Sequence, residues 1–416
     1  MLLKTILNRV EQHKGFVYGK VRWLNRGKPS IEVEVRPRAG SDAFCSGCGK
    51  PGPTYDRLKR RLIEFVPLWQ IIVFFSYAPR RVDCKRCGVT VEMLPWAEGK
   101  CQLTNTYRWF LAVWAKRLSW KEVAEAFGTS WQNVCRSVEM AVEWGLAHRD
   151  LRGIVAIGID EIQWRLGHHY LTLVYQIDEG SKRLLWIGLE RTKESLEGFF
   201  DYLGSEGSKA LKFICSDMWQ PYLDVIATKA GAAVHVLDRF HIMSRMNKAI
   251  DEVRAGEARR LVADGHKPVL KHSRWCILKR PENLTEKQTV KMAELLRYNL
   301  KTVRAYLHRE DFQRFWTYMR PWTARKFLRE WCGRVMRSRI EPMKKIARSL
   351  REHEKLILNW FRARGTISAG IVEGFNNKAK LTMRKSYGFR SSRIIQLALY
   401  HNLGALPEPR FTHKFW

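Results

Sequence analysis

The sequence predicts an α/β core that is interrupted by a long helical segment and preceded by two smaller segments, one β-rich with paired cysteines and one helical. Three observations predict this arrangement. Two Cys-x-x-Cys-Gly units lie in a stretch rich in β-branched and aromatic residues. Strand-like runs alternate with helical patterns between residues 153 and 241, and residues 245–364 carry helical patterns only. These regions differ in composition, and no internal repeat relates them.

The composition is that of a folded, strongly basic protein. The 416 residues include 74 Lys and Arg against 41 Asp and Glu, a formal net charge of +33. Hydrophobic residues make up 45% of the chain, which excludes disordered and low-complexity architectures. A basic surface attracts polyanions, and nucleic acid is favoured over a membrane, because the longest apolar stretch is well short of the roughly 20 residues that span a bilayer. We expect a cytoplasmic protein without a membrane segment.

Residues 1–100 are predicted to form a zinc ribbon. Each Cys-x-x-Cys unit places two thiolates on one tight turn, and the glycine that follows permits the backbone to curl back. Two such turns close a tetrahedral four-sulfur site with no open position, which favours one structural Zn²⁺. The alternative is four ordinary buried cysteines. The predicted ligands are Cys45, Cys48, Cys84 and Cys87.

Residues 101–150 carry a helix-turn-helix pattern. Ser119 and Glu122 have the spacing of a capping box, and Gly128 begins a turn before a second amphipathic helix. Side chains near the start of such a second helix can meet base edges in the major groove of DNA. The alternative is a plain helical hairpin, and the positive charge favours DNA binding. The predicted DNA-contacting residues are Gln132, Asn133 and Arg136.

Residues 151–244 are predicted to form the first part of the α/β core. Strands and helices follow in the order β-β-β-α-β-α-β. The three closely spaced strands predict an antiparallel meander, and the later strands, which alternate with helices, predict parallel additions covered by helices. This mixed five-stranded sheet with helices resembles a ribonuclease H-like core. The strand-like runs are IVAIGIDEI, HYLTLVYQID, LLWIGLE, ALKFICSD and AAVHVLD.

Two aspartates end strongly apolar runs. Asp160 ends VAIGID and Asp217 ends LKFICSD, so both are expected at the rim of a buried sheet, where catalytic groups of α/β folds collect. Neighbouring carboxylates repel each other unless a cation lies between them, and Mg²⁺ or Mn²⁺ is the hard ion that fits. Asp160 is preferred over Glu161, because only one of two consecutive residues can point to the metal side of a strand.

A helical insertion, residues 245–364, precedes a final helical part of the core with a basic tail, residues 365–416. The tryptophans of the insertion could stack on DNA bases, but their amphipathic spacing favours core packing. In the final part, Ser368 can cap a helix that carries Glu373, a third candidate metal ligand. Amide and basic side chains on and beside the same face are predicted to contact phosphates: Asn377, Lys380, Arg384 and Lys385.

Four of these stretches together resemble the ISL-three family of insertion-sequence transposases, which belongs to the DDE group with a ribonuclease H-like catalytic domain. They are GIDEI around Asp160, CSDMWQPYLDVI around Asp217, VHVLDRFHI around Asp238 and IVEGFNNKAKLTMRKSYGFR around Glu373. The resemblance covers nearly the whole chain, since the family also carries an N-terminal zinc ribbon and a helix-turn-helix. A helical insertion in this family fills the long interval before the glutamate.

The resemblance implies catalytic roles. Asp160 would bridge two Mg²⁺ or Mn²⁺ ions per active site, and Asp217 and Glu373 would each complete one of the two sites. The reaction would be hydrolysis at the ends of the element, followed by attack of the exposed 3′-OH on target DNA. The implied partners are the terminal inverted repeats and target DNA in a prokaryotic cell, bound by a homodimer or higher oligomer that holds two ends together.

Two other functions remain open from the sequence. One is a DNA-binding regulator derived from a transposase, and the other is a structure-selective, metal-dependent nuclease that cuts without joining. The family motif LDRFHI adds residues whose role is secondary, because a structural salt bridge explains them as well as work at the metal site or on DNA. These are Asp238, Arg239 and His241.

Overall fold

A computed structural model describes residues 3–363, 369–386, 389 and 391–409. The chain divides into two compact units. One contains the residues up to Arg149 together with those from Thr382 onward, and the other contains Asp150–Leu381. Ser368, the predicted helix cap, lies outside the described residues, as does the end of the basic tail after residue 409.

The N-terminal part of the first unit is rich in β-structure. Its main sheet has the order β1-β2-β7-β6, in which β2 and β7 are parallel and the outer pairs are antiparallel. Val33 and Val35 of β2 are buried on one face of the sheet, which packs over a core that includes Phe75 and Trp96. The elements are α1 (Leu3–Val10), β1 (Phe16–Arg26), β2 (Lys28–Pro37), β3 (Ala43–Phe44), β4 (Pro51–Gly52), β5 (Thr54–Arg57), β6 (Arg61–Leu68), β7 (Ile71–Tyr77), β8 (Arg80–Cys84) and β9 (Gly88–Val91).

Short ribbons carry the paired cysteines. Strands β3 and β4 form one two-stranded sheet, and β5, β8 and β9 form another of three strands. Gly49 and Gly88 have φ angles of 70° and 72°, which is the left-handed conformation that a knuckle turn requires. The prediction of β-structure around the paired cysteines is therefore confirmed, and a strand already begins at Phe16, well before the first cysteine unit.

Three helices follow: α2 (Asn105–Ala115), α3 (Trp120–Ala126) and α4 (Trp131–His148). The capping box is confirmed, since the Ser119 hydroxyl accepts from the backbone N–H of Glu122 and the Glu122 carboxylate accepts from that of Ser119. Gly128 adopts a φ of 65° in the turn, and Ser130 caps α4. The inward residues of α3 and α4 are buried in one core, and they include Val123 and Val138.

The second unit contains a five-stranded sheet. Its order is β12-β11-β10-β13-β14, with β10, β11 and β12 antiparallel and β10, β13 and β14 parallel. The predicted order of elements and the change from a meander to parallel strands are both confirmed. The elements are β10 (Ala156–Arg165), β11 (His169–Ile177), β12 (Lys182–Leu189), α5 (Lys193–Ala210), β13 (Phe213–Ser216), α6 (Gln220–Lys229) and β14 (Val234–Leu237).

The rest of this unit is helical, and no strand occurs between residues 239 and 363. Trp316 and Trp331 are buried in its core as the spacing favoured, whereas Trp275 and Trp322 are more than half exposed. The helices are α7 (Arg239–Ala263), α8 (Arg274–Leu278), α9 (Glu286–Leu295), α10 (Lys301–Gln313), α11 (Pro321–Arg337), α12 (Glu341–Glu352) and α13 (Glu354–Arg362), with 3₁₀ turns at Pro281–Asn283 and Arg314–Thr317.

Two helices complete the chain, α14 (Ala369–Lys385) and α15 (Ser392–Leu403). In the second unit, Val372 of α14 packs against β10, where a Cβ atom on Gly158 would lie 2.3 Å from Val372 Cγ2. In the first unit, Leu397 and Ala398 of α15 join the core of α2, α3 and α4. Within the described part of the chain, no helix is both long enough and apolar enough to cross a membrane.

Candidate functional site

The parallel strands of the second unit end at the same level. Gly158 of β10 pairs with Cys215 of β13, which pairs with Val236 of β14. Two residues further along each strand stand the three aspartates that the sequence singled out. In β10 the strand itself continues to Arg165 beside β11, so the aspartate there follows the last parallel pair and does not end the strand. The three are Asp160, Asp217 and Asp238.

Asp160 is held by neighbours on three sides. Its side chain is buried, and its Oδ1 atom accepts a hydrogen bond from the backbone N–H of Glu161 at 2.8 Å. The Asn376 side chain on α14 donates to Oδ2, and His241 Nε2 lies 3.4 Å from the same oxygen. Asn376 in turn accepts from the Tyr175 hydroxyl at 3.1 Å, so the amide orientation is set from both ends.

Asp217 shares a cation with Glu161. Arg191, which follows β12, lies with Nη2 2.6 Å from Asp217 Oδ2 and with Nε 2.7 Å from Glu161 Oε1. Its guanidinium carbon is 4.6 Å from the ring centre of Trp219, whose backbone N–H donates to Asp217 Oδ1 at 3.0 Å. One cation therefore compensates two carboxylates at this edge of the sheet.

The electrostatics reflect the crowding of acids. Burial, then the negative charge of Asp217, raises the pKa of Glu161 to about 7. Burial likewise raises the pKa of Asp238 to about 6. Burial alone would lower the pKa of His241, but its hydrogen bond to Asp160 and the surrounding carboxylates raise it to about 9. His241 also lies 3.7 Å from Asp238. Its positive charge therefore compensates two carboxylates, those of Asp160 and Asp238, as the charge of Arg191 compensates two others.

Glu373 reaches this region on α14. Its side chain is exposed, and its charge contributes to the raised pKa of Asp238. The helix is anchored on both sides of Glu373, by Val372 against Gly158 and by Phe375, whose ring stacks on Tyr175 with centroids 4.7 Å apart. Glu373 is consequently carried to the end of the sheet by a helix that is packed against it.

The donor chemistry suits a hard divalent cation, because the candidates offer carboxylate oxygens. In the described part of the chain, the four cysteines are the one group of three or more potential ligands whose atoms all lie within 4.8 Å of one another. The carboxylates of Asp160, Asp217 and Glu373 do not all lie within that distance of one another. Arg191 is paired with Asp217, and His241 lies 3.4 Å from Asp160. The residues fit divalent ions in type.

The four cysteines form a compact candidate zinc site. The Sγ atoms of Cys48 and Cys84 are 3.5 Å apart, and the backbone N–H of Gly47 donates to Cys45 Sγ at 3.3 Å. Hydrogen bonding from Thr90, and then from the backbone, lowers the pKa of Cys45 to about 6, which favours the thiolate that binds metal. Four soft thiolates at this spacing are compatible with a zinc ribbon.

The predicted DNA contacts of α4 are placed unequally. Gln132 and Arg136 are exposed, whereas Asn133 is half-buried and donates to the Thr129 hydroxyl at 3.0 Å. Asn133 and Arg136 line a cavity of about 240 Å³. Two further cations line it, which makes the mouth of the cavity electropositive. They are Lys100 and Arg108.

The predicted phosphate contacts on α14 also differ from one another. Asn377, Lys380 and Arg384 are exposed. Lys385 is half-buried and donates to the backbone carbonyl of Arg117, and burial lowers the pKa of Lys385. Three of the four side chains therefore face solvent, and the fourth makes a contact within the protein. Arg239, from the secondary set, stacks over Trp316 at 5.3 Å.

Three residues of the site were not singled out from the sequence. Arg191 lies two residues after the end of β12, so its position near a strand end could have indicated it. Asn376 stands three residues after Glu373 on α14. Residues three apart on a helix are neighbours, as residues four apart are, so this spacing could have indicated Asn376. Tyr175 carried no comparable signal, since it lies within an apolar strand.

The sequence profile of a family described as a transposase, the ISL-three type of the DDE group, matches residues 157–399, more than half of the chain. The chain belongs to this transposase family. The matched region contains all three candidate metal ligands and the helical segment between the second and third. The resemblance drawn from the sequence motifs is confirmed.

Curated relatives agree with the family. This transposase is 26% identical to the transposase for insertion sequence element IS1001 of Bordetella parapertussis, over 96% of this chain and 98% of the relative. It is also 26% identical to the transposase for insertion sequence element IS1557 in two strains of Mycobacterium tuberculosis, over 92% of this chain and 91% of the relative. The similarity thus extends along nearly the full length of these proteins, beyond the matched region. Membership of a DDE transposase family implies an enzyme that cuts and joins DNA with divalent metal ions.

Proposed function

We propose that this transposase binds the terminal inverted repeats of its insertion sequence and catalyses metal-dependent DNA cleavage and strand transfer with Asp160, Asp217 and Glu373. The observation that supports this most is the position of Asp160 and Asp217, which each lie two residues past the same pair of residues on neighbouring parallel strands. Helix α14, which carries Glu373, packs against one of these strands, β10. The two neighbouring strands bring the carboxylates to the carboxyl-terminal end of the parallel strands, which is where active sites of α/β sheets form.

The proposed core is ribonuclease H-like. Its first part is residues 151–244, its final helical part with the basic tail is residues 365–416, and residues 245–364 are the insertion. An antiparallel three-stranded meander followed by two parallel strands supports this proposal. The proposed DNA-binding domains are the zinc ribbon, residues 1–100, and the helix-turn-helix, residues 101–150, supported by the four-cysteine cluster and the capped helices α3 and α4.

In the proposed mechanism, two bound divalent ions would activate the attacking oxygen and stabilise the leaving oxygen. Asp160, Asp217 and Glu373 would hold them. Asn376 keeps the carboxylate of Asp160 in a fixed orientation, because it is itself fixed by Tyr175. The same acids serve hydrolysis at the element end and the later attack by the 3′-OH, since only the attacking oxygen changes between the two steps.

DNA recognition is proposed to combine shape, charge and base contacts. Arg136 and Gln132 are exposed near the start of α4, in the position from which helix-turn-helix proteins read the major groove. The net charge of +33 supports extensive phosphate contact, and such binding weakens steeply with salt. A homodimer or higher oligomer is proposed to act on DNA, because a dimer is the smallest assembly that supplies one active site to each element end.

The test is strand cleavage and joining on a strand-resolving gel. The purified protein is incubated with Mg²⁺ and a DNA that carries the sequences flanking its own gene. We expect cleavage at the flanks and joined products from the wild type, neither from Asp217→Asn, and both from the control Asp201→Asn, whose carboxylate is exposed on α5. Salt-sensitive binding without cutting would indicate the regulator, and cutting without joining would indicate the nuclease.

A further inference from the structure

The hairpin between β6 and β7 has an unusual turn. Leu68 pairs with Ile71, so Trp69 and Gln70 are the two central residues, and their φ angles are 48° and 67°. Both lie in the left-handed region, as in a type I′ turn, where Asn-Gly is the favoured pair. A tryptophan is strained in this conformation. The hairpin itself does not require an indole at residue 69, because asparagine adopts this turn conformation more readily than tryptophan.

The Trp69 side chain is displayed on a rigid base. It is 92% exposed, more than any other large hydrophobic side chain among the described residues. Behind it, the rings of Phe65 and Phe75 stack with centroids 4.7 Å apart, and Leu68 packs against the core of the sheet. An exposed indole is unfavourable in water unless a partner covers it, and a firmly held hairpin loses little conformational freedom when that partner binds.

A second turn lies beside the first and carries positive charge. Strands β1 and β2 are joined at Gly27, and Lys28 begins β2 with an exposed side chain. Because β2 and β7 are parallel, with Ser30 paired to Ile72, the two turns protrude from the same end of the sheet. An exposed aromatic ring and a lysine at the same end of a sheet can bind nucleic acid together, because the ring stacks on a base and the cation contacts a phosphate.

The hairpin lies within reach of DNA bound by α4. Glu64 of β6 bridges to Leu103, which lines the same cavity as Asn133 and Arg136 of α4. From Glu64 to Trp69 the strand advances about 16 Å at roughly 3.3 Å per residue. One turn of B-DNA is about 34 Å long, so a duplex bound on α4 is long enough to reach the tip of the hairpin.

We propose that Trp69 is a base-stacking wedge, which inserts between base pairs of the element-end duplex while Lys28 contacts the adjacent phosphate. This proposal rests on the proposed binding of element ends and adds a contact residue outside the helix-turn-helix. Aromatic and apolar side chains that enter a base step unstack it in part and bend the duplex. The wedge would therefore unstack one base step, which lies at a fixed distance from the bases that α4 contacts.

The test uses the full-length protein and element-end duplexes with 2-aminopurine at one adenine position at a time. The wild type should raise the fluorescence at one step, where the wedge unstacks the base, and leave the other positions unchanged. Trp69→Asn and Trp69→Ala should lose this rise and bind about tenfold more weakly, as expected for one stacked base. Trp23→Ala, an exposed tryptophan on β1 of the same sheet, is the matched control and should behave as the wild type.

Three results distinguish the possibilities. Retention of the fluorescence rise by Trp69→Asn would overturn the wedge. Because asparagine suits the left-handed turn, that variant should melt no lower than the wild type, and loss of signal in it cannot be ascribed to unfolding. If the wild type itself did not bind the element ends, the proposed function would fail and the wedge with it, whereas binding with no unstacked position would overturn the wedge alone.

Discussion

Arg191 forms an ion pair with Asp217, with Nη2 2.6 Å from Oδ2. The same guanidinium lies against Glu161 and over the ring of Trp219. A cation placed between two acids at the edge of a sheet does electrostatically what a bound divalent ion would do. The arrangement offsets the repulsion between these acids, and if Asp217 holds a divalent ion as proposed, Arg191 would compete with that ion.

Replacing Arg191 should therefore change metal binding as well as stability. Arg191→Gln should lower the free energy of unfolding by about 1–2 kcal/mol without metal, less than for a fully buried pair because Arg191 is one-third exposed. Added Mn²⁺ should then raise the melting temperature more in the variant than in the wild type. Arg152→Gln, in an exposed ion pair with Asp150, is the control. An equal Mn²⁺ shift in all three proteins would contradict the competition.

Gly158 is expected to tolerate no side chain. Gly158→Ala would place a Cβ atom 2.3 Å from Val372 Cγ2, and overpacking of this kind costs about 1–3 kcal/mol. Gly180→Ala, where nothing lies within 4 Å, should change the free energy of unfolding little. Urea unfolding measures both. The double variant Gly158→Ala with Val372→Ala should recover part of the loss, and failure to recover any would show that the contact is not the cause.

Asn376 and Asn377 are adjacent asparagines with different expected roles. Asn376 is buried and donates to Asp160, so Asn376→Ala should slow single-turnover cleavage about 10- to 100-fold at saturating Mg²⁺ and DNA. Asn377 is exposed, and Asn377→Ala should weaken DNA binding with little effect on the saturated rate. The cleavage rate and the DNA dissociation constant, measured on both variants, separate these outcomes. A normal saturated rate for Asn376→Ala would exclude positioning of Asp160.

Zinc is expected to bind with one ion per chain. Cys48→Ser should abolish the zinc measured by elemental analysis and lower the thermal stability, because the small core around the knuckles has few other residues to hold it, among them Ala43 and Val82. Cys101→Ser is the matched control, since this cysteine lies outside the cluster. Equal zinc content in the two variants would refute the four-cysteine site.

His401 should make stability depend on pH. Burial, and then the charge of Lys116, lowers its pKa from 6.5 to about 3; Lys116 is itself paired with Glu408 at 2.6 Å. The unfolded chain takes up a proton near pH 6.5 while the folded protein does not, so stability is fully present above pH 6.5 and falls as the pH decreases. Between pH 6.5 and 5 the loss is about 2 kcal/mol.

Urea unfolding at pH 7 and pH 5 measures this effect. The difference between the two conditions should shrink by about 2 kcal/mol in His401→Gln, because the variant has no group to protonate at this position. A pH dependence in His401→Gln equal to that of the wild type would exclude the buried neutral histidine as its source.

Local patterns determined much of this protein from the sequence alone. The cysteine units, the capping box at Ser119 and the alternation of strands and helices after residue 153 depend on residues close together in the chain. Hydrophobic periodicity and turn chemistry are local properties, which is why the element order could be predicted. The motifs around Asp160, Asp217 and Glu373 were sufficient to recognise the family, because their order along the chain carries the information.

Only the tertiary structure decided how these elements meet. The sequence contains Arg191 and Asn376 but not the pairing of Arg191 with Asp217 or of Asn376 with Asp160, since these depend on strand register and on where α14 crosses the sheet. The left-handed turn that displays Trp69 likewise follows from the pairing of β6 with β7. Side-chain contacts between residues far apart in the chain are set by packing, and packing is a property of the whole fold.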